Sequence, residues 1–288
     1  MKLVTYNIQY SLGKDGSYNL ARIVEAVKDA DVIALQEVTR NFIPSENPEQ
    51  PEIIAKLLPN YYWVYGPQVD LDVSIRKEDG MVINKRMQFG NMLLARWPIL
   101  SSRLILLPKM RTYDKHNAQF GALEGVVDLP GGAFRFYSIH LNYLSGAERM
   151  AQIEYLLPLL INMPQEGGVV SGPGWREFKE VPVSHDFVLL GDFNLAPDAP
   201  EYIRIVGEPD YYYGHRIVPQ HLVDMWVQTG HSQEEGITWY DSSKNFESGL
   251  RIDYGFVSAG LAKKVKRAWI DEKAPGSDHQ PTWFELDL

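Results

Sequence analysis

The chain has 288 residues, 45% of them hydrophobic and 23% charged, a balance that suits a folded protein with a sizeable core. It contains no cysteine, which excludes disulfides, thiolate metal sites and cysteine nucleophiles. Its net charge of −9 disfavours tight, sequence-independent binding along a phosphate backbone, yet a carboxylate-rich site can still recruit a divalent cation that brings positive charge to a phosphate.

The apolar runs are far shorter than a membrane span needs. Strand-like sequence begins at Leu3 and leaves no room for a signal peptide, so a cytoplasmic protein is expected, or an exported one whose leader has been trimmed. Residues 2–8 alternate like a strand and lead to Asn7. Leu20, Ile23, Val24 and Val27 repeat at helical spacing over 19–29. Val32–Leu35 reads as a second strand, ending at Gln36-Glu37. Residues 41–51 read as loop, 52–58 as a short helix and 61–65 as an aromatic strand. Residues 66–88 show little periodicity beyond a strand near 80–83. Residues 92–95 read as a strand, 101–107 as an edge strand and 108–120 as a polar connection.

Residues 122–129 and 133–139 flank Pro130-Gly131-Gly132 as a hairpin that ends at His140, with Asn142 two residues on. Ser145-Gly146-Ala147-Glu148 fits a capping box, followed by an apolar stripe that Pro158 is expected to kink or break. Residues 162–183 hold four glycines and three prolines and read as a long loop. Phe187–Leu190 has buried-strand length and stops at Gly191, presenting Asp192 and Asn194, which would share one side of an extended chain. An Asx-type turn is the bland alternative. Asp198 is placed to cap a helix over 200–206, and 220–229 can hold a short helix carrying Asp224. Residues 237–240, 250–257 and 282–286 read as strands, and the basic run 263–267 as solvated surface. Without steady βα alternation, two packed sheets with outer helices fit better than a doubly wound parallel sheet. No linker or short repeat divides residues 1–288, so one domain is expected.

Strand ends and adjoining loops thus present Asn7, Glu37, His140, Asn142, Asp192, Asn194, Asp253, Asp278 and His279. Hard carboxylate and carbonyl oxygens suit Mg²⁺ or Mn²⁺. No local histidine pair supports a zinc site. Tyr6-Asn7, Leu35-Gln36-Glu37, Ile139-His140-Leu141, Gly191-Asp192-Phe193-Asn194, Arg251-Ile252-Asp253-Tyr254 and Ser277-Asp278-His279 occur in that order. Together with Phe89-Gly90-Asn91, Trp97-Pro98, Arg149 and Gln152, they closely resemble the endonuclease/exonuclease/phosphatase superfamily over residues 4–286. The resemblance implies a four-layer α/β sandwich of two mostly antiparallel sheets flanked by helices, and a metal-dependent phosphoesterase. Carried over by position, it implies Glu37, Asn7 and Asp278 on the metal side. Asp192 would activate water and Asn194 would hold the phosphate or that water. Asp253 would orient His279, and His279 and His140 would bind phosphoryl oxygens. Asn142 and Asn91 are expected to meet the substrate, while Asp224 and Thr238 match supporting positions. The other histidines read as structural.

The acidic balance leans towards a small phosphodiester, a phosphomonoester or a lipid headgroup, with a nuclease on DNA or RNA as the alternative. A non-catalytic module on the same fold would be expected to lack some of these residues, and none is missing. A monomer is expected.

Overall fold

The computed structural model describes residues 1–45, 48–182 and 184–288. Glu46, Asn47 and Val183, which fall in the expected loops 41–51 and 162–183, lie outside the described residues.

Two six-stranded sheets form the centre of the molecule. The first carries, in spatial order, β15 (Val265–Ile270), β16 (Thr282–Leu286), β1 (Lys2–Asn7), β2 (Val32–Arg40), β6 (Arg86–Ala95) and β3 (Tyr62–Asp72). The second carries β11 (Val223–Asp224), β14 (Asp253–Val257), β10 (Phe187–Asp192), β9 (Gly132–His140), β8 (Gly121–Leu129) and β7 (Ile99–Leu106). Each has one parallel pair at its centre, β1–β2 and β9–β10, and every other pairing is antiparallel. Two small ribbons, β4 (Ile75–Arg76) with β5 (Val82–Ile83) and β12 (Trp239–Tyr240) with β13 (Gly249–Leu250), stand outside these sheets.

Side-chain alternation builds the layers. Leu3 of β1 and Val188 and Leu190 of β10 point into the core between the sheets, with Leu93, Leu123, Phe136 and Phe284. Val4 and Tyr6 point the other way, against Ile23, Val24 and Val27 of α1 (Leu20–Val27) and Ile54 of α2 (Gln50–Leu57). On the far side, Phe187 and Leu189 meet Ile153, Leu157 and Leu160 of α3 (Gly146–Glu166) and Tyr202 and Ile205 of α4 (Pro200–Val206). This is the expected sandwich of helices, sheet, sheet and helices.

Several elements differ from their sequence reading. The long helix α3 runs through Pro158 and Pro164 without ending. An interior proline costs about 3 kcal/mol. Burying Ile153, Leu156, Leu157, Leu160 and Met163, at about 1.5–3 kcal/mol each, outweighs it, and Pro158 lies on the solvent side. Asp198 does not cap α4: Ala199 takes that place with no side-chain bond, and Pro200 opens the helix. The strand expected over 250–257 is split. Gly249–Leu250 pairs with the 239–240 ribbon, Asp253–Val257 joins the second sheet, and buried Arg251 between them ion-pairs with Asp224 at 3.1 Å. The 66–88 region holds the ends of two long strands, and Val265–Ile270 is an edge strand whose Lys266 and Arg267 remain exposed. The short helix α5 (Met225–Gln228) is capped by Asp224 through Trp226 N–H.

Candidate active site

The site forms where the two central parallel pairs end. Asn7 closes β1, beside Gln36 of β2. His140 closes β9 beside Asp192 of β10, which in turn faces Asp253 at the start of β14. Each sheet therefore delivers polar side chains to the same edge.

Local backbone features aim them. The pairing of β2 with β6 shifts register between Leu35 and Val38, and Glu37 inside this bulge has φ +60°. A bulge adds a residue to one strand and re-aims side chains, here at a backbone strain of about 1–3 kcal/mol for a non-glycine residue. Gln36 stays between the sheets, donating to Ser138 Oγ at 2.9 Å and accepting from Thr5 Oγ1 at 3.2 Å. Gly191 lets β9 and β10 approach closely, because a Cβ there would overlap the Ile139 carbonyl. Asp192 and Asn194 do not share an extended strand. Asn194, at φ +51°, donates its backbone N–H to Asp192 Oδ1 at 2.9 Å and its side-chain Nδ2 to the Leu141 carbonyl at 3.0 Å. The Asx-type turn is the observed form.

One carboxamide spans the cleft. Asn7 Nδ2 donates to Glu37 Oε1 at 3.2 Å and to Asp192 Oδ2 at 2.9 Å, while Gln9 N–H donates to Asn7 Oδ1 at 3.0 Å. On the far side, Asp253 Oδ2 lies 2.8 Å from His279 Nδ1. Asp192 Oδ2 is 3.5 Å from His140 Nε2 and 3.7 Å from His279 Nε2. The loop carrying Asp278 and His279 is fastened on both flanks. Ser277 Oγ donates to the Asn7 carbonyl at 2.8 Å, and Tyr240 N–H to the Asp278 carbonyl at 2.9 Å. Asp278 Oδ2 accepts from Gln9 Nε2 and Trp239 Nε1, both at 3.1 Å.

These contacts separate the charge states. Burial raises the Glu37 carboxyl to about 7, with Asp278 and Asp253 adding to the rise and His279 and Asn7 opposing it. Burial, then Asp253, raises Asp192 as well. For His279, burial favours the neutral ring, but Asp253 and Asp192 together overcome it and hold the imidazole up at about 10. His140 has no such carboxylate bond; burial and then the charge of His279 push it down to about 3.

Two donor sets could meet a cation. Asp192, Asp253 and His279 offer ligand atoms within 4.8 Å of one another. That group is already committed, since Asp253 bonds His279 and the imidazole carries positive charge. The Glu37 and Asp278 carboxylates, beside Asn7, suit a hard divalent ion better: they offer only oxygen, and burial, with Asp278 and Asp253 adding to it, has pushed Glu37 up to about 7.

Two expectations need correction. Asn142 is fully buried. Its Nδ2 donates to Asn117 and Glu148, and its Oδ1 accepts from the Leu144 and Ser145 N–H groups. It shapes the start of α3 and has no polar atom left for a substrate. Asn91 is also buried between the sheets, with Nδ2 on the Gly121 and Ser138 carbonyls and Oδ1 without a partner among the described residues. Asp224, bonded to Arg251 and Tyr202, sits behind the cleft, whereas Thr238 Oγ1 accepts from the Ile252 and Asp253 N–H groups and so seats Asp253. Gln9 and Trp239 hold Asp278, a role that the sequence reading gives to neither, though it offers Trp239 as an aromatic for a base to stack on. No local pattern marks them, because both act through Asp278, which lies far away in sequence. Among the remaining histidines, His231 stacks on Trp226 and His215 bonds the Gly207 carbonyl.

Residues 4–279 match the model of the Endonuclease/Exonuclease/phosphatase family. The chain belongs to this family. It is a hydrolase of phosphoester bonds, in a family that depends on divalent metal. No curated protein matches the sequence. Solved structures share the fold at low identity. An endonuclease/exonuclease/phosphatase from Bacteroides vulgatus is 18% identical with a TM-score of 0.67, covering 100% of this chain and 98% of its own. A mannosyl-6-phosphatase from Bacteroides thetaiotaomicron is 17% identical with a TM-score of 0.64, covering 100% of both chains. TDP2 from D. rerio, complexed with single strand DNA product, is 19% identical with a TM-score of 0.62, covering 100% and 99%. No helix among the described residues is long and apolar enough to cross a membrane.

Proposed function

We propose that residues 1–288 act as one catalytic unit, a Mg²⁺- or Mn²⁺-dependent phosphoesterase whose substrate is a small phosphodiester, a phosphomonoester or a lipid headgroup. The observation that carries this reading is the Asn7 carboxamide, which ties Glu37 on one sheet to Asp192 on the other. It sets the oxygen donors for a cation beside the carboxylate that takes a proton.

The Glu37 and Asp278 carboxylates would hold the cation, with the Asn7 carboxamide beside them fixing Glu37 through its Nδ2. Such a cation would supply positive charge against the phosphate. Asp192, raised by its buried setting, accepts a proton from the attacking water, because a base is most effective when its pKa lies near the working pH. Asn194, fixed by its turn, positions that water or a phosphate oxygen. The P–O bond to water forms, the ester P–O bond breaks, and the leaving oxygen takes a proton from solvent to depart as the alcohol, while Asp192 returns its proton to solvent. His279, kept protonated and oriented by Asp253, donates to a phosphoryl oxygen where negative charge develops. His140 is neutral and contributes one N–H. One chain supplies all these residues, so a monomer suffices.

The net charge of −9 favours a small ester over a long nucleic acid, and the mannosyl-6-phosphatase of similar fold is consistent with that preference. A nuclease is the second reading. Half-exposed Tyr143 packs edge-on to Phe120, which itself lies against His140, so an aromatic face stands near the cleft for a base to stack on. Hydrolysis of p-nitrophenyl phosphate, bis-p-nitrophenyl phosphate, a choline phospholipid and plasmid DNA, with and without Mg²⁺ or Mn²⁺, tests both. Metal-dependent turnover of a small ester is expected. DNA cleavage alone selects the nuclease, and four intact substrates with both metals overturn the hydrolytic assignment of the site.

A further inference from the structure

The Lys14 ammonium lies 4.1 Å from the centroid of the Tyr240 ring, and the backbone N–H of Tyr240 holds the Asp278 carbonyl. The loop bearing Lys14 is closed by the Leu12–Tyr18 bridge and by a Gly13 N–H to Ser17 carbonyl bond. It presses on the site: a Cβ on Gly13 would fall 2.7 Å from the Pro275 carbonyl oxygen, just before Ser277-Asp278-His279. Gly13 thus lets Lys14 come up against the segment that carries the catalytic imidazole.

What sets this lysine apart is its partner. The neighbouring cation, Arg22, is bonded to both oxygens of Asp15. Lys14 forms no ion pair among the described residues and rests instead on an aromatic face, half-buried. A ring face holds an ammonium without neutralising it and leaves N–H donors for another acceptor. The surroundings carry Glu37, Asp192, Asp253 and Asp278 in a chain of net charge −9, which opposes an anionic substrate. Asp278 is the carboxylate whose charge acts on Lys14, but no hydrogen bond or ion pair joins them, and a cation so held is suited to meet negative charge that the cleft does not itself accommodate.

We propose that Lys14 is a specificity-determining residue that binds a second anionic group of the substrate, a phosphate or carboxylate separate from the phosphate being hydrolysed. This rests on the hydrolytic reading of the site above. Such a substrate gains one charge-assisted contact in ground state and transition state alike, so the effect appears in KM and in competition, not in kcat.

The test uses the full chain with Mg²⁺ and any ester the wild type turns over, with glucose 6-phosphate and glucose 1,6-bisphosphate as competitors. The wild type is expected to bind the bisphosphate more tightly. Lys14→Met should weaken the bisphosphate about tenfold and leave the monophosphate and kcat unchanged. Lys14→Arg should restore most of the preference, since it keeps the charge and the ring contact. Equal weakening of both sugars, or no change in either, overturns the inference while an active wild type keeps the hydrolytic reading intact. A wild type inert towards every ester removes both.

Discussion

The ends of the two central strand pairs invite comparison. Both sheets follow one plan, a parallel pair flanked by antiparallel neighbours. The β1–β2 end presents the Asn7 carboxamide and the Glu37 carboxylate, with no histidine. The β9–β10 end presents His140 and Asp192, and receives His279 from a loop that belongs to the first sheet. On the proposed function, one architecture thus builds an edge for a cation and an edge for the proton, and the difference lies in which side chains the strands deliver. The two histidines repeat the lesson at closer range. They share one carboxylate neighbour, Asp192, yet Asp253 bonds only His279 and so sets it at about 10 while His140 lies at about 3.

The contrast can be broken most severely at the proton-handling edge. Asp192→Asn should lower kcat by about a thousandfold or more, because base and charge are lost together. The metal-free variant should melt no lower than the wild type, since a strained buried carboxylate has gone; circular dichroism checks this, and near-normal turnover would sink the role of Asp192. On the cation-seeking edge, Glu37→Gln should weaken Mg²⁺ at least about tenfold, read by isothermal titration, with a smaller loss of kcat at saturating metal. An unchanged titration would move the cation seat elsewhere.

Asp253→Asn should bring the His279 titration down from about 10 towards the ordinary range, followed by NMR of the imidazole. Stability then acquires a clear pH signature. The folded-state pKa of His279 lies above its unfolded value of about 6.5, so its contribution is complete below pH 6.5 and is lost as pH rises through about 10. The wild type should therefore lose more stability over that window than Asp253→Asn. A parallel decline in both would contradict the pairing. The mildest test is Asn142→Ala, which should cost about 1–3 kcal/mol in urea unfolding through the unpaired N–H groups and carboxylate it leaves behind, with KM unaltered. A large KM effect would return Asn142 to the substrate.

Much of this was legible in the chain. The apolar run of β10 marks a strand buried on both faces, and Asn7, His140, Asp192, Asp253 and His279 stand at strand ends or in a loop as the sequence reading has them, whereas Glu37 lies inside β2, which continues through a bulge to Arg40. Reading along the chain fails where distant residues decide. The prolines of α3 break a helix in isolation, but burial against the second sheet holds it. Asn142 looks like a free polar group until the carboxylate and amides around it are counted. The bulge that turns Glu37 into the cleft has no glycine to announce it, and Gln9, Trp239 and Lys14 gain their meaning only through the segment 275–279.

That last dependence also has a temporal side. Ser277 grips the Asn7 carbonyl across 270 residues of sequence, and β1 sits between β2 and β16. The ribosome makes Asn7 and Glu37 long before the strand that completes their sheet. Until residues 277–286 emerge, β1 has an open edge and the cleft lacks its imidazolium. Loop closure over so long a separation makes the pairing slow. A chain still in synthesis therefore has neither the closing strand of its first sheet nor the imidazole of its cleft until residues 277–286 are made.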